Sequence, residues 1–302
     1  MTKTHYKFID LCSGIGGFHL GLHKLGMKCV FASEIDKTAR EIYQQNFYNI
    51  EPSIFDNDRF NEDIFNVDTD KIPDFDICCA GFPCQPFSQI GKKKGFGENL
   101  ENRGTLFFKI LEIIDNKRPR AFLLENVQHI INHDGGNTFK TIENELRNIG
   151  YSFYYKVIRA TDFGLPQHRP RTFMVGFNNE DLADEFFQFP CKIPLKMTMS
   201  DVFGGKCSRD IGFTLRLGGA ESPIDDRRNW DSYIVNGKIK KIEPEHGKKM
   251  QGFPKKFILP SSRTKAMKLL GNSVAVNVIY HLGKQIIDYL EDKNQFQKNQ
   301  NL

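Results

Sequence analysis

A cysteine between two prolines is the residue of this sequence best placed to act as a nucleophile. Cys84 lies in the segment GFPCQPFS, which directly follows the apolar run DICCA, a predicted strand. Pro83 and Pro86 restrict the backbone to a loop, where a thiol can be exposed and its pKa tuned. The position of Cys84 therefore predicts a reactive thiol at the end of a strand.

A carboxylate and two arginines stand next to other predicted strands. Glu125 follows the apolar run AFLL, where apolar neighbours would raise its pKa and let it hold a proton. Arg169 and Arg171 precede the run TFMVGF, and an extended backbone places side chains two residues apart on one face. Each residue alone is also explained by a solvated acid or a surface ion pair. Together with the thiol, at matched strand ends, they indicate a catalytic site.

The segment FIDLCSGIGGF predicts a strand, a glycine turn and a helix start that would face a ligand. Gly14 and Gly16 let the backbone approach that ligand, and a helix N-terminus favours negative charge. Glu34 follows the next predicted strand, where a carboxylate can accept hydrogen bonds from ribose hydroxyls. A nicotinamide cofactor is one interpretation. Against it, His19 stands where the pyrophosphate fingerprint has its third glycine, so a nucleoside cofactor without a pyrophosphate fits better.

Short apolar runs alternate with helical patterns over the first 190 residues. The predicted strands cover residues 7–11, 29–32, 76–80, 121–124, 152–158 and 172–177, and the predicted helices cover residues 18–25, 37–47, 105–116 and 137–148. This alternation favours an α/β fold with a doubly wound, mostly parallel sheet. In such a sheet ligands bind beyond the carboxyl ends of the strands, where Cys84 and Glu125 would lie.

The basic residues are concentrated in one quarter of the chain. The net charge of the 302 residues is +5, but residues 191–262 hold 14 Lys and Arg against 8 Asp and Glu, or +6. The other 230 residues hold 28 against 29, or −1. Residues 191–262 show no long helical pattern, and one returns over 263–290. We predict a catalytic, cofactor-binding domain of residues 1–190 and 263–302 and a small loop-and-strand domain of residues 191–262.

Composition excludes several other classes of protein. No apolar stretch reaches the ~18 residues of a membrane span, and the N-terminus lacks the apolar core of a signal peptide. The seven cysteines include no Cys-x-x-Cys pair, which suits free thiols in a reducing cytoplasm better than disulfides or zinc. We therefore expect a cytoplasmic protein without membrane or metal.

These segments together resemble the DNA (cytosine-5)-methyltransferases of bacterial restriction-modification systems. FIDLCSGIGGF is similar to their cofactor loop, GFPCQPFS to the nucleophile loop, LLENV to the carboxylate motif, QHRPR to the arginine motif and GNSV at 271–274 to the C-terminal motif. The motifs occur in the family order and span nearly the whole chain outside residues 191–240. The resemblance implies the fold of S-adenosylmethionine-dependent methyltransferases and a monomer acting on double-stranded DNA. It also implies a restriction endonuclease as functional partner.

The resemblance also assigns roles to individual residues. It implies S-adenosylmethionine as methyl donor, with Phe18 on the adenine, Glu34 on the ribose and Pro83 against the cofactor. Cys84 would attack C6 of the target cytosine while Glu125 protonates N3. Arg171 would hold the base, and Arg169 would orient Glu125 or the nucleophile loop. The implied cofactor site is completed by Gly14, Gly16, Ile35, Asp63, Ile64, Asn272 and Ser273.

Residues 191–262 correspond in this resemblance to the domain that recognises the target sequence. Arginine pairs bidentately with guanine in the major groove, and glycines allow close backbone approach. The residues predicted to contact DNA are Gln85, Lys92, Lys93, Lys94, Arg216, Gly218, Gly219, Arg227 and Arg228. Internal pairing with Asp225 and Asp226 is the alternative for the arginines, and a solvated charge run is the alternative for the lysines.

Three competing functions remain to be weighed at this point. A transfer-RNA cytosine methyltransferase shares the chemistry, although the basic segment favours DNA. A zinc nucleobase deaminase would need a second cysteine after Pro83-Cys84, which the segment lacks. A non-enzymatic DNA-binding module would explain the basic segment but not Cys84, Glu125 and Arg171 together.

Overall fold

The computed structural model describes residues 6–83, 105–179, 187–216 and 222–300, with Thr105 and residues 293–300 described by their backbone alone. Within these ranges one sheet contains seven strands. They are β1 (Lys7–Leu11), β2 (Lys28–Ser33), β3 (Phe60–Asn61), β4 (Ile77–Gly81), β5 (Ala121–Val127), β6 (Tyr154–Ile158) and β7 (Arg171–Phe177). Their order is β3-β2-β1-β4-β5-β7-β6, and only β7 is antiparallel to its neighbours. The predicted α/β fold with a mostly parallel sheet is confirmed.

The strand order reverses between β1 and β4. From β1 the chain moves outward to β2 and β3 and then returns to β4 on the other side of β1. Ligands of open α/β sheets bind in the crevice at such a reversal, beyond the carboxyl ends of the strands. The glycine loop follows β1 and Pro83 follows β4, so both segments enter this crevice.

The reversed direction of β7 brings the arginine segment to the same edge. Arg171, the first residue of β7, pairs with Val127 of β5 and with Ile158 of β6. In a fully parallel sheet, residues that precede a strand would lie at the edge opposite to Glu125. Because β7 runs the other way, Arg171 and Glu125 lie at one edge.

Helices cover both faces of the sheet. They are α1 (Gly17–His23), α2 (Lys37–Phe47), α3 (Pro52–Asp56), α4 (Thr105–Lys117), α5 (Asn137–Asn148), α6 (Met199–Phe203), α7 (Pro244–Gln251), α8 (Arg263–Asn272) and α9 (Val276–Gln300). Alternate residues of β5 enter different hydrophobic clusters: Leu123 belongs to one, and Phe122 and Leu124 belong to the other. Successive side chains of a strand point to opposite faces, so a strand that is apolar at every position needs both faces covered. Among the described helices, none has the length and apolar character needed to cross a membrane.

The basic segment packs against the C-terminal helices. It contains α6, α7 and the antiparallel hairpin of β8 (Ser232–Val235) and β9 (Lys238–Lys241). Its buried Trp230 and Tyr233 belong to the same hydrophobic cluster as Leu270 of α8 and Val276 of α9. The division of the chain into two domains stays a prediction.

The helical pattern predicted over 263–290 is interrupted in the structure. α8 ends at Asn272, the backbone of Ser273 is extended with ψ 158°, and α9 begins at Val276. The carbonyls of Gly271 and Ser273 accept hydrogen bonds from the guanidinium of Arg169, each at 2.7 Å. A side chain from outside the helix thus takes up carbonyls at the end of α8, and the chain turns there.

A buried histidine packs beneath the glycine loop. His19 is fully buried, its ring stacks on Phe47 with centroids 4.0 Å apart, and its Nδ1 lies 2.7 Å from the Tyr43 hydroxyl. Its backbone N–H donates to the carboxylate of Asp10 at 3.3 Å. Burial, with the nearby His23 adding to it, lowers the pKa of His19 well below the ordinary value. The ring is therefore neutral in the folded protein.

This burial predicts an acid-sensitive contribution to stability. A lowered folded-state pKa means that the unfolded chain binds the proton more tightly. Stability is therefore lost as the pH falls below the pKa that the histidine has in the unfolded chain. For a ring that stays neutral in the fold, the free energy of unfolding should drop by about 2 kcal/mol between pH 7 and pH 5. Other buried groups also titrate, so the contribution of His19 is the difference between two proteins. Urea unfolding should show a drop between the two pH values that is larger by this amount in the parent protein than in His19→Phe.

The exposed His129 provides the matched control for this measurement. Its ring makes no contact with His19, so His129→Phe should keep the full difference between the two pH values. Equal drops in the parent protein and in His19→Phe would contradict a buried neutral ring at position 19.

Candidate active site

Two residues with different predicted partners meet over a glycine at the end of β4. A Cβ atom added to Gly81 would lie 3.4 Å from Oε2 of Glu125 and 3.6 Å from the ring of Phe18. Phe18 was predicted to bind the cofactor, and Glu125 to bind the target base. The structure brings these two side chains together across the reversal point of the sheet, with only backbone between them.

Glu34 connects the glycine loop to α2. Its Oε2 accepts the backbone N–H of Gly14 at 2.7 Å, and its Oε1 accepts that of Asp36 at 2.8 Å. Burial raises the pKa of Glu34, and the two backbone donors oppose that increase. Each carboxylate oxygen has a further lone pair, so the group can still accept the ribose hydroxyls predicted for it. The neighbouring Ile35 is 71% exposed and offers an apolar surface beside it.

The two predicted cofactor glycines face in different directions. Gly14 has φ +56°, and a Cβ atom there would meet nothing within 4 Å, so its surface is open to a ligand. Gly16 has φ +82°, and a Cβ atom there would lie 2.2 Å from the ring of Phe47. Only glycine combines this φ with such close packing. Gly14 thus suits the predicted contact with the cofactor, whereas Gly16 packs against α2.

The remaining predicted cofactor residues lie along the same edge. Asp63 follows β3, and its carboxylate accepts the N–H of Phe65 at 3.0 Å, while Ile64 is buried. Ser273 packs against the start of α1, because a Cβ atom at Gly17 would lie 2.7 Å from its hydroxyl. Asn272 is exposed beside it.

The chemistry of this edge fits an adenosine that carries no phosphate. Glu34 offers acceptors for ribose hydroxyls, and Ile35 offers an apolar face for a base. The hydroxyl of Ser13, in the glycine loop, is buried without a hydrogen-bond partner among the described residues, so a polar group of a ligand would satisfy it. His19, in place of the third glycine, fills the space under the helix with its ring. Within the described part of the chain, no three His, Cys, Asp or Glu side chains gather as metal ligands.

Glu125 and Arg171 form an ion pair at the carboxyl edge. Oε1 of Glu125 lies 3.0 Å from Nε of Arg171, and both side chains are largely buried. Burial raises the pKa of Glu125, and the charges of Arg171 and then Arg169 oppose this increase. Nη1 of Arg171 also donates to the carbonyl of Pro170 at 2.8 Å, which fixes the guanidinium. Arg171, which was predicted to hold the target cytosine, therefore fixes Glu125, the predicted proton donor.

Asn126 is a positioning residue that the sequence reasoning missed. Its amide donates to the carbonyl of Phe82 at 2.8 Å, and its side-chain oxygen accepts the N–H of Val127. This bond ties the end of β5 to the segment that leads through the exposed Pro83 toward the nucleophile. The signal was present in LLENV, where Asn126 directly follows the predicted acid.

Several predicted residues lie outside the described part of the chain, and their roles stay predictions. They are Cys84, Gln85, Lys92, Lys93, Lys94, Gly218 and Gly219.

Arg169 has a different environment from the one predicted for it. Its guanidinium donates hydrogen bonds to the carbonyls of Gly271 and Ser273 and also, at 3.2 Å, to the carbonyl of Leu215. It therefore joins β7, α8 and the basic segment. Burial and the charge of Arg171 lower its pKa to about 9, against the opposing charge of Glu125. The direct partner of Glu125 is Arg171, and Arg169 acts on it only through its charge.

Two glutamines that were not predicted complete this junction. Gln167 is fully buried, donates to the carbonyl of Met250 at 3.1 Å and accepts the N–H of Leu215 at 3.0 Å. Gln251 is also fully buried and donates to the carbonyl of Leu270 at 2.7 Å. The signals were the glutamines of QHRPR and of QGFP, which spacing alone does not place together.

The three described arginines of the predicted DNA surface differ in their partners. Arg228 binds Asp226 through its Nε and Nη2 atoms, the shortest distance being 2.8 Å, and these bonds lower the pKa of Asp226 to about 2. Arg216 donates to the carbonyl of Arg228 at 2.6 Å. Arg227 is exposed and forms no hydrogen bond or ion pair with any residue that the structure describes. Internal pairing, the alternative explanation, therefore holds for Arg228 in this structure.

The junction predicts that Arg169 and Arg171 contribute to different properties. Arg169→Met would leave the carbonyls of Leu215 and Gly271 without this donor and that of Ser273 with only a 3.4 Å bond from Gln251. We expect it to lower the free energy of unfolding by roughly 3 kcal/mol or more. Arg171→Met removes the partner of Glu125, which can become protonated instead. We expect it to cost about 1 kcal/mol or less while abolishing activity.

Urea unfolding measures the first effect, and a catalytic assay measures the second. Arg169→Lys, which keeps the charge but not the planar fork, should fall between the parent protein and Arg169→Met in stability. Equal loss of stability in the two methionine variants would contradict the separate assignment of the two arginines.

Comparison with known proteins agrees with the site. The family model for C-5 cytosine-specific DNA methylases matches residues 6–216 and 213–288. Type II methyltransferase M1.ScrFI of Lactococcus lactis subsp. cremoris is 40% identical over 320 residues, which cover 95% of this chain and 79% of the relative. Type II methyltransferase M.HhaI of Haemophilus parahaemolyticus is 34% identical over 322 residues, which cover 94% of each.

Solved structures share the fold at lower sequence identity. A putative DNA modification methyltransferase encoded within an Escherichia coli prophage has a TM-score of 0.71 and 20% identity, over 95% of this chain and 99% of its own. A DNMT2 mutant of Spodoptera frugiperda has a TM-score of 0.70 and 19% identity, over 94% of this chain and 100% of its own. The match of the family model over most of the chain, with relatives well above 30% identity, shows that this protein belongs to the C-5 cytosine-specific DNA methylase family and is a DNA (cytosine-5)-methyltransferase.

Proposed function

We propose that this enzyme methylates C5 of a flipped-out cytosine in a specific double-stranded DNA sequence, through a covalent bond between Cys84 and C6. The observation that carries the proposal is the buried Glu125–Arg171 pair, at the edge where the chain leads into the nucleophile segment. In such a pair the carboxyl group can give a proton to a nucleobase, and the guanidinium then stabilises the carboxylate charge that results. Membership of the cytosine-specific family supplies the reaction class.

The chemistry needs covalent activation because C5 of cytosine is a weak nucleophile. The Cys84 thiolate forms a bond to C6, and Glu125 gives its proton to N3, so the electron pair of the C5–C6 double bond becomes available at C5 as an enamine. When bound, S-adenosylmethionine would supply the electrophilic methyl group to C5, with the sulfur–methyl bond broken and S-adenosylhomocysteine left as product. A base then removes the proton from C5, the thiolate leaves C6, and Glu125 recovers its proton from N3.

Glu125 and Arg171 act as a unit in this proposal. Burial raises the pKa of Glu125, so its protonated form is present nearer to neutral pH than for an exposed glutamate. After proton transfer, the carboxylate charge lies 3.0 Å from the Arg171 guanidinium, which stabilises it. Arg171 would also bind O2 of the base. Its guanidinium is held by the Pro170 carbonyl, so little ordering would be required.

The cofactor site follows the edge from β1 to β4. Glu34 would hold the ribose, with Gly14 giving close backbone approach. Phe18 and Ile35, together with Asp63 and Ile64, would surround the adenine. Pro83, Asn272 and Ser273 would close the site from the nucleophile segment and the end of α8.

The target base must leave the duplex before it can reach this site, at a cost of roughly a few kcal/mol. We propose that residues 83–103 close over the extruded base, with Gln85 filling the vacated space and Lys92, Lys93 and Lys94 contacting phosphates. Gly218 and Gly219 would allow close approach of the basic segment to the DNA. The Type II methyltransferase names of its relatives support a role in restriction-modification, in which methylation protects host DNA from a cognate endonuclease. We propose that the enzyme acts as a monomer in the cytoplasm.

Trapping of the covalent intermediate tests the mechanism. Bisulfite sequencing of DNA from expressing cells first identifies the modified site, and a duplex carrying 5-fluorocytosine at that position is then incubated with enzyme and cofactor. Fluorine at C5 cannot leave as a proton, so the parent enzyme should accumulate a denaturation-resistant adduct. Cys84→Ala should form none, and Cys191→Ala, which removes an exposed thiol instead, should form as much as the parent enzyme. An adduct in Cys84→Ala would show that the mechanism is wrong.

The pH dependence of the rate tests the role of Glu125. Because the reaction uses the protonated acid, kcat should fall as the pH rises through the raised pKa of Glu125. Glu125→Gln should lower kcat by about 10² to 10⁴ and should not show this alkaline decline. An unchanged decline in Glu125→Gln would assign the decline to another group.

Transfer RNA in place of DNA should accept no methyl group.

A further inference from the structure

A pocket of about 200 Å³ lies between the arginine motif and the basic segment. His168, which stands between the junction residues Gln167 and Arg169, contributes one wall, and the basic segment contributes the others. The pocket is lined by His168, Phe213, Thr214, Arg216, Arg227, Asn229 and Trp230. No cofactor or base contact of the proposed reaction accounts for it as a whole.

The only tryptophan of the chain lines this pocket and has an unused donor. Trp230 is 3% exposed, and its indole Nε1 has no hydrogen-bond partner among the described residues. Buried N–H groups are nearly always paired, since an unpaired one costs roughly 1–3 kcal/mol. An acceptor atom of a ligand would satisfy this group.

His168 adds a second donor. Nε of Arg159 donates to Nε2 of His168 at 3.1 Å, so a neutral ring carries its hydrogen on Nδ1. The hydroxyl of Thr214 donates to the backbone carbonyl of His168, which fixes the two walls relative to each other. His168, the lining residue from the arginine motif, therefore also carries a donor.

Two guanidinium groups complete the lining, and no carboxylate is among its described residues. The nearby carboxylate of Asp226 is taken by Arg228, with bonds of 2.8 and 3.1 Å. Arg216 is directed by its bond to the Arg228 carbonyl, and Arg227 is exposed with no partner in the described chain. The pocket thus combines positive charge with several N–H donors.

We propose that this pocket binds one phosphodiester of the DNA backbone, held by Arg227, Arg216 and the Trp230 indole. The site rests on the DNA substrate of the proposed function and adds to it a fixed phosphate contact. A guanine edge offers only two acceptors in the major groove, fewer than the donors of this pocket. The oxygens of an anion can accept hydrogen bonds from several directions at once. Arg228 is then a structural residue that orients Arg216, and not a residue that reads bases.

A phosphate in this place would set the register of the duplex on the enzyme. Phosphate contacts position DNA without carrying sequence information. Because His168 lies next to Arg169 in the chain, this anchor would connect the recognition segment directly with the catalytic edge.

Single neutral phosphates locate the contact. In duplexes that carry the recognition sequence, each phosphate in turn is replaced by a methylphosphonate, which removes one charge and one anionic oxygen. Replacement of the one phosphate that this pocket binds should lower the affinity of the parent enzyme for the duplex roughly tenfold or more. Arg227→Gln and Trp230→Phe should both lose sensitivity to substitution at that position and keep it at the others.

Salt dependence separates the roles of these two residues. Arg227→Gln should bind all duplexes more weakly, and the slope of log affinity against log salt concentration should decrease in magnitude by about 0.9. Trp230→Phe removes a donor without removing charge, so its slope should equal that of the parent enzyme. Lys140→Gln removes one exposed charge on α5, away from the pocket, and should change neither slope nor positional sensitivity.

Two results would overturn the proposal while methylation itself persists. One is an Arg227→Gln enzyme that keeps its salt slope and relaxes its preference at one base pair, because Arg227 would then read a base. The other is a parent enzyme with no methylphosphonate position whose effect depends on Arg227. If Trp230→Phe fails to fold, the exposed Arg227→Gln variant alone decides between these outcomes. Failure of the proposed function would instead appear as absent methylation in the parent enzyme.

Discussion

The structure depends on a charged guanidinium in a place that water does not reach. Arg169 is 3% exposed, and an unpaired charge there would be very costly. Its acceptors are three backbone carbonyls that come from parts of the chain far apart in sequence. Satisfying one side chain therefore fixes where α8 ends, where the basic segment meets the sheet and where the arginine motif enters β7. The two arginines of that motif differ in their partners: Arg169 binds carbonyls of the main chain at this edge, and Arg171 pairs with Glu125.

Two buried carboxyl groups on the same edge are prepared for different tasks by their partners. Both have a pKa raised by burial. Glu34 accepts backbone N–H groups on both oxygens, which fix it as an acceptor for a ligand. Glu125 has a guanidinium on one oxygen, and the other faces the bare backbone of Gly81. A carboxyl group of this kind can exchange a proton, because its neighbour stabilises the charge that remains.

Much of the fold was accessible from the sequence because strands and helices alternate with clear periods. The strands that carry the glycine loop and Arg171 were placed within one residue, whereas the strand of Glu125 runs three residues further than predicted, to Val127. The direction of β7 was not accessible, since an apolar run reads the same in both directions, and yet that direction brings Arg171 to Glu125. The end of α8 was missed because it depends on Arg169, about a hundred residues away in the chain. Motifs identified the chemical groups, but long-range contacts decided that Arg169 binds carbonyls. The pairing of Arg228 with Asp226 is local and was one of the two alternatives that the sequence left open.

The junction between the arginine motif and the basic segment has a consequence for the diversity of target sequences. Gln167 and Arg169 bind the main-chain atoms of Leu215 and Met250, and they make no hydrogen bond to a side chain of the segment among the residues that the structure describes. The main-chain N–H and carbonyl groups are shared by every amino acid except proline, which lacks the N–H, so the segment can vary in sequence while its attachment persists. Exchanging recognition segments between relatives should therefore require conservation of backbone path at these two points and not of residue identity. If residues 191–262 recognise the target sequence, as proposed, attachment through peptide groups would allow one catalytic domain to carry segments of different DNA specificity.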